Sequence, residues 1–262
     1  MQLICFDKET TSAEPKSCRV VQFGAVAFTE DSEEVLYNEI CDPGLDEGFE
    51  TTPEAEAIHG ITREQMVGKR RDTIVLGEFY DFIAPHVEGL TFAGHNIARF
   101  DFPILYRVGE RTPLSKPRVI DTLTLVQRYP IEGCIDGKLG TVTKHLGLGD
   151  AELAHDAVGD CRMVYQLVQY FARGLGKTWE ELAAECAVPR VHIKCGFGKH
   201  KGKFWGNKSS HPEGTEVVPW FYVDWMIKNF SDASPDMVMT IYHHYGRRMK
   251  GFDEVLAMLN AS

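Results

Sequence analysis

The chain has 262 residues, 44% of them hydrophobic, with 28 Lys and Arg against 38 Asp and Glu and a formal net charge of −10. That length and apolar content suffice for a sizeable core and allow one large domain with a small appendage. The charge argues against a basic face over the whole molecule, although a local cationic groove or bound metal ions can outweigh a distant acidic surface.

The apolar run Leu3-Ile4-Cys5-Phe6 is short and closes in a polar turn, which predicts a buried strand. Asp7 and Glu9 stand at its end. Strand side chains alternate, so the two carboxylates share one face and Lys8 turns to the other, away from them. Two adjacent anions need a cation. Residues 19–28 and 34–40 read as further strands joined by the acidic turn 29–33, an antiparallel meander. The pattern then predicts a helix near 76–86, a strand at 90–93, a helix over 102–108 and a strand at 118–120, with three more helices following. A mixed α/β sheet covered by helices results. The long helical pattern from His155 to about Phe171 turns Val158, Cys161, Val164, Tyr165, Leu167 and Val168 inward. His155 and Asp160, five apart, lie over adjoining parts of its first turns.

Taken singly, the polar positions are weak signals. Asp-x-Glu after a strand is common, Asp101 is what a helix N-terminus favours, and Asn96 has the chemistry of a helix cap. Together, Phe6-Asp7-Lys8-Glu9-Thr10-Thr11, Gly94-His95-Asn96-Ile97-Ala98-Arg99-Phe100-Asp101 and His155-Asp156-Ala157-Val158-Gly159-Asp160 supply four carboxylates and a histidine. In order, type and surroundings, these residues resemble the exonucleases with an Asp-Glu-Asp-Asp core and a catalytic histidine, over residues 1–175. Ala57-Ile58-His59-Gly60-Ile61-Thr62 and Val119-Ile120-Asp121-Thr122-Leu123 extend the resemblance, and Lys8 departs from it, standing where the family usually places a neutral residue.

The resemblance implies a ribonuclease H-like fold and removal of nucleotides from the 3′ end as 5′-mononucleotides. It implies two divalent ions, Mg²⁺ or Mn²⁺, the hard cations that carboxylates suit. Asp7, Glu9 and Asp160 would hold the first ion and Asp7 with Asp101 the second, while His155 would act as general base. Thr10, His59, Asn96 and Phe100 match the positions that contact the terminal nucleotide. The expected partner is a DNA 3′ end, single-stranded. An RNA-trimming enzyme with the same chemistry and a non-catalytic nucleic-acid-binding or partner-recruiting protein are the alternatives.

Composition shifts after about residue 175. Residues 176–190 read as a helical linker and residues 191–262 as a small C-terminal module. Gly196-Phe197-Gly198-Lys199-His200-Lys201-Gly202-Lys203 and Tyr222-Val223-Asp224-Trp225 resemble the corresponding module of the exodeoxyribonuclease X type. A phosphate-binding loop is excluded on spacing, since Phe204 stands where Ser or Thr would be required. Three readings stay open: a zinc site from Cys186, His192, Cys195, His200 and His211; a nucleic-acid clamp of lysines with Trp205 or Trp220 stacking on bases; or a minidomain with Tyr222 and Trp225 in its core. Seven scattered cysteines without a Cys-x-x-Cys pair read as reduced thiols of a cytoplasmic protein. No run approaches the roughly 18 apolar residues of a membrane span, and the start lacks a signal-peptide pattern.

Overall fold

The computed structural model describes residues 2–148, 156–195, 198–206, 208–229 and 235–246. They divide into two compact units, Met1–Ala187 and Val188–Ser262.

The first unit is built on a five-stranded sheet in the order β3-β2-β1-β4-β5. Strands β1 (Gln2–Thr10), β2 (Val20–Phe28) and β3 (Glu33–Ile40) form the antiparallel meander. Strands β4 (Leu90–Gly94) and β5 (Arg118–Asp121) join β1 in parallel. Alternation along β1 sorts its side chains into two cores. Ile4 and Phe6 meet α3 (Asp72–Ile83) and α4 (Asp101–Val108) on one face. Leu3 and Cys5 meet α5 (Thr122–Arg128), α6 (Leu139–His145) and α7 (Ala157–Leu175) on the other. Around Phe6 the rings of Phe79 and Phe102 lie at 5.4 and 5.1 Å in edge-on contact, each pair worth about 0.5–1.5 kcal/mol beyond its buried area. This aromatic knot stiffens the strand where its acidic end begins.

Two short helices, α1 (Pro53–His59) and α2 (Arg63–Met66), fill the stretch between β3 and α3. They escape the hydrophobic pattern because α1 buries none of its residues and α2 only Met66. Helix α7 ends at Gly176, whose φ of 64° is the left-handed conformation glycine adopts without strain. The expected linker carries α8 (Trp179–Ala187), and that helix puts Trp179, Leu182 and Ala183 into the α7-side core.

The second unit gathers Cys195, Trp205, Val218, Val223, Met226, Ile241 and Tyr245 into its own small core beneath α9 (Trp220–Asn229) and α10 (Pro235–Tyr245). Arg190 ties α10 to the start of the unit through Asp236, with Nη2 to Oδ2 at 2.7 Å. None of the seven cysteines, all among the described residues, forms a disulfide, and no helix among the described residues is long and apolar enough to cross a membrane.

Candidate active site

Acidic side chains reach one end of the sheet from both of its faces. Asp7 and Glu9 leave β1 on the side that α7 covers, and Asp160 sits in the first turn of α7. One oxygen from each of these three carboxylates lies within 4.8 Å of the other two. Asp101 opens α4 from the opposite face, is 2% exposed, and adds its charge to both Asp7 and Glu9.

Strand β2 determines how closely α7 approaches. Gly24 pairs with Asp7 across the sheet, and a Cβ at Gly24 would lie 2.7 Å from the carbonyl carbon of Ala157. Only glycine lets the helix start there. Two residues away, opposite Glu9, Gln22 Nε2 donates to Asp156 Oδ1 at 2.7 Å while its Oε1 accepts the Ala157 N–H at 3.4 Å. Asp156 in turn caps α7, accepting the Gly159 N–H at 3.1 Å. Neither Gln22 nor Gly24 was among the expected site residues. Their signal was a lone amide and a glycine inside the otherwise apolar run of β2.

Asp121 holds Asp101 in a similar way. Its carboxylate accepts the N–H groups of Asn96 at 3.1 Å and Ala98 at 3.3 Å, fixing the loop that enters α4, and it caps α5 through Leu123 and Thr124.

Lys8 corrects an expectation. It turns away from Asp7 and Glu9, as strand alternation requires, but into the fourth carboxylate, because α4 covers that face of β1. The Lys8 side chain is fully buried, with Nζ 4.4 Å over the Phe6 ring. Nζ donates to the Asp101 carbonyl oxygen at 3.1 Å and lies 3.5 Å from Asp101 Oδ1.

Burial, and then the charges of Asp101, Asp160 and Glu9, hold the Asp7 carboxyl well above the usual carboxylate range. Burial and then Asp160 push Glu9 up to about 7. Asp101 rises to about 6 because burial outweighs the opposing pull of Lys8. Four crowded carboxylates, of which Asp7, Glu9 and Asp101 have raised affinities for protons, form a donor set that fits a hard divalent cation, which would replace the protons and relieve the repulsion.

Of the expected nucleotide contacts, Thr10, His59 and Phe100 line a single cleft of about 420 Å³ together with Lys8, Glu9 and Ile58. His59 Nδ1 accepts the Ile61 N–H at 3.0 Å, which leaves the ring proton on Nε2. Asn96 lies elsewhere, in the left-handed conformation at φ 69°, on a second cavity of about 660 Å³ with His95 and Gly137. His155 lies outside the described residues. The zinc reading of the C-terminal unit is not realised. Among the described residues only Asp7, Glu9 and Asp160 converge as a potential metal group, Cys186 Sγ instead donates to the Asp121 carbonyl and His211 Nε2 bonds the Trp205 carbonyl oxygen.

A mixed five-stranded sheet with helices on both faces is the ribonuclease H-like architecture. Residues 4–168 match the model of the Exonuclease (RNase_T) family, and the chain belongs to that family. Protein NEN3 of Arabidopsis thaliana is 31% identical over 116 residues, 43% of this chain and 22% of its own length. The PolC-type DNA polymerase III of Clostridium perfringens is 26% identical over 170 residues, 64% of this chain and 11% of its own length. The chain thus spans about a quarter or less of these relatives. The zinc-bound complex of Escherichia coli exonuclease I with single-stranded DNA superposes with a TM-score of 0.57 at 21% identity, over 70% of this chain and 42% of that one. Exonuclease I of Methylocaldum szegediense gives 0.55 at 24% identity, over 70% and 43%. At these identities the structural likeness carries the fold.

Proposed function

We propose that the protein is a metal-dependent exonuclease of the exodeoxyribonuclease X type that removes 5′-mononucleotides from the 3′ end of single-stranded DNA. The observation that carries this reading is the convergence of Asp7, Glu9, Asp101 and Asp160 at one end of the sheet, beside a cleft. DNA is favoured over RNA by the relatives described as DNA polymerase III and by the neighbouring structures solved with single-stranded DNA.

Asp7, Glu9 and Asp160 would hold one divalent ion and Asp7 with Asp101 a second, and such a pair clamps the attacking and leaving oxygens of a phosphodiester. His155 takes the proton of the attacking water, a role for neutral imidazole, so acidification lowers the rate. Phe100 and Ile58 offer apolar surface to the terminal base, and His59 lines the same cleft. Gln22 and Asp121 act through their bonds to the segments that carry the carboxylates. They position Asp160 and Asp101.

The test is a time course on end-labelled single strands of DNA and RNA of one sequence, in Mg²⁺, Mn²⁺ or EDTA, for the native protein and Asp160→Asn. Cleavage that needs both metal and Asp160 is expected, faster on DNA. Faster cleavage of RNA would exchange the polymer and keep the chemistry. No cleavage of either strand by the folded protein would leave the non-catalytic reading.

A further inference from the structure

The two units differ sharply in charge. Residues 188–262 contain ten Lys and Arg against seven Asp and Glu, a formal charge of +3, so with the whole chain at −10 residues 1–187 carry −13. A polyanion is repelled by the average field of the first unit outside its metal site, and the second unit is the part of the chain able to attract it.

The second unit also exposes aromatic surface. Trp205, a stacking candidate in sequence, is fully buried, whereas Trp220 is 42% exposed with its ring 5.5 Å from that of Tyr245. Of the two residues expected in a minidomain core, Tyr222 is half-buried and packs against it, whereas Trp225 is exposed. On α9, Phe221 and Trp225 are four apart on one side of the helix and 65% and 49% exposed. Val223 and Met226 take the buried side. Tyr222 stacks on Trp225 with centroids at 5.6 Å and planes 19° apart. Gly198 brings the lysine-rich loop against this stripe: a Cβ there would lie 3.0 Å from the Tyr222 hydroxyl, and its φ is +61°. Lys199, next in sequence, holds its Nζ 5.9 Å from the Phe221 centroid and 5.6 Å from that of Tyr222. Lys201 follows in the same loop, exposed.

We infer that Phe221, Trp225 and Lys199 of the second unit form a docking surface for single-stranded nucleic acid. Flat exposed rings edged by ammonium groups match the two recurring features of a polynucleotide strand, stackable bases and a phosphate backbone, without reading sequence. The choice of ligand rests on the proposed action on nucleic-acid ends. Held by the second unit of the same chain, a strand would be kept at high local concentration for the first.

The test measures fluorescence anisotropy of a 5′-fluorescein-labelled thymidine 20-mer with the full-length protein in EDTA, so that binding is read without cleavage. Phe221→Ala with Trp225→Ala should weaken binding at least about tenfold. Lys199→Gln should flatten the slope of log K against log salt by about 0.7. Hydrolysis of the p-nitrophenyl ester of thymidine 5′-monophosphate, too small to span two sites, should match the native rate in Mn²⁺. Trp225→Ala alone, with at least threefold weakening expected, decides the matter should the double variant lose helicity. Native-like oligonucleotide binding by a folded variant lacking the stripe would overturn the inference and point to a protein partner for the aromatics. Loss of ester hydrolysis in the native protein with intact anisotropy would instead sink the exonuclease reading and leave the docking surface standing.

Discussion

Buried beside Phe6 and Asp101, the Lys8 ammonium gives a positive charge to a cluster of four carboxylates, with burial lowering its proton affinity and Asp101 and Asp7 opposing that fall. Removing one partner of a buried pair leaves the other uncompensated. Lys8→Met is therefore expected to destabilise the metal-free protein by on the order of 3 kcal/mol, with a smaller deficit once Mg²⁺ or Mn²⁺ is present, as thermal unfolding with and without metal will register. An equal deficit in both conditions would separate Lys8 from the metal site. The raised carboxylates make a second prediction. Their folded-state affinities for protons exceed the unfolded ones, so their stabilising contribution is complete below the ordinary carboxylate range near 4. It is lost as pH rises through about 6 for Asp101 and about 7 for Glu9. Divalent ions bind the deprotonated groups, so the gain in melting temperature on adding Mg²⁺ should be larger at pH 7.5 than at pH 5. The reverse order would contradict the assignment. Alternation along β1 made the Asp7–Glu9 pair legible in sequence. The Lys8–Asp101 contact was not legible, because it depends on which face α4 covers.

Helix α7 carries Asp160, and β2 seats that helix through Gly24, Gln22 and the Asp156 cap. Gly24→Ala forces backbone apart at the helix start. A loss of about 1–3 kcal/mol is expected in denaturant unfolding, with exonuclease activity reduced by more than the folded fraction explains, because Asp160 moves with the helix. Activity lost only in proportion to the folded fraction would place the cluster's geometry elsewhere. Asp121 does for α4 what Gln22 does for α7, so Asp121→Ala should likewise lower the rate. Period and apolar spacing made the sheet strands and α7 legible, while α1 and α2 bury too little to leave a pattern. The supports of the site were hidden because they are long-range: Gln22 and Asp156 are 134 residues apart.

Across the whole molecule, the chain is divided by charge and by core. The acidic first unit holds the carboxylates, and the second closes its own core around Trp205 while leaving Phe221 and Trp225 outside. Sequence placed that second unit by its change of texture. It could not choose the exposed rings, because Trp205, Trp220 and Trp225 differ only in which neighbours cover them. The central claim is narrower, that the carboxylate cluster removes nucleotides from a 3′ end with divalent metal. It is tested most directly by following two 5′-labelled single DNA strands, one with a free 3′ hydroxyl and one with a blocked 3′ end, in Mg²⁺ beside Asp101→Ala. The account predicts a ladder that shortens stepwise from the free end, is arrested by the block, and is absent in the variant. Shortening that ignores the block, or an undiminished ladder from a folded Asp101→Ala protein, would contradict it.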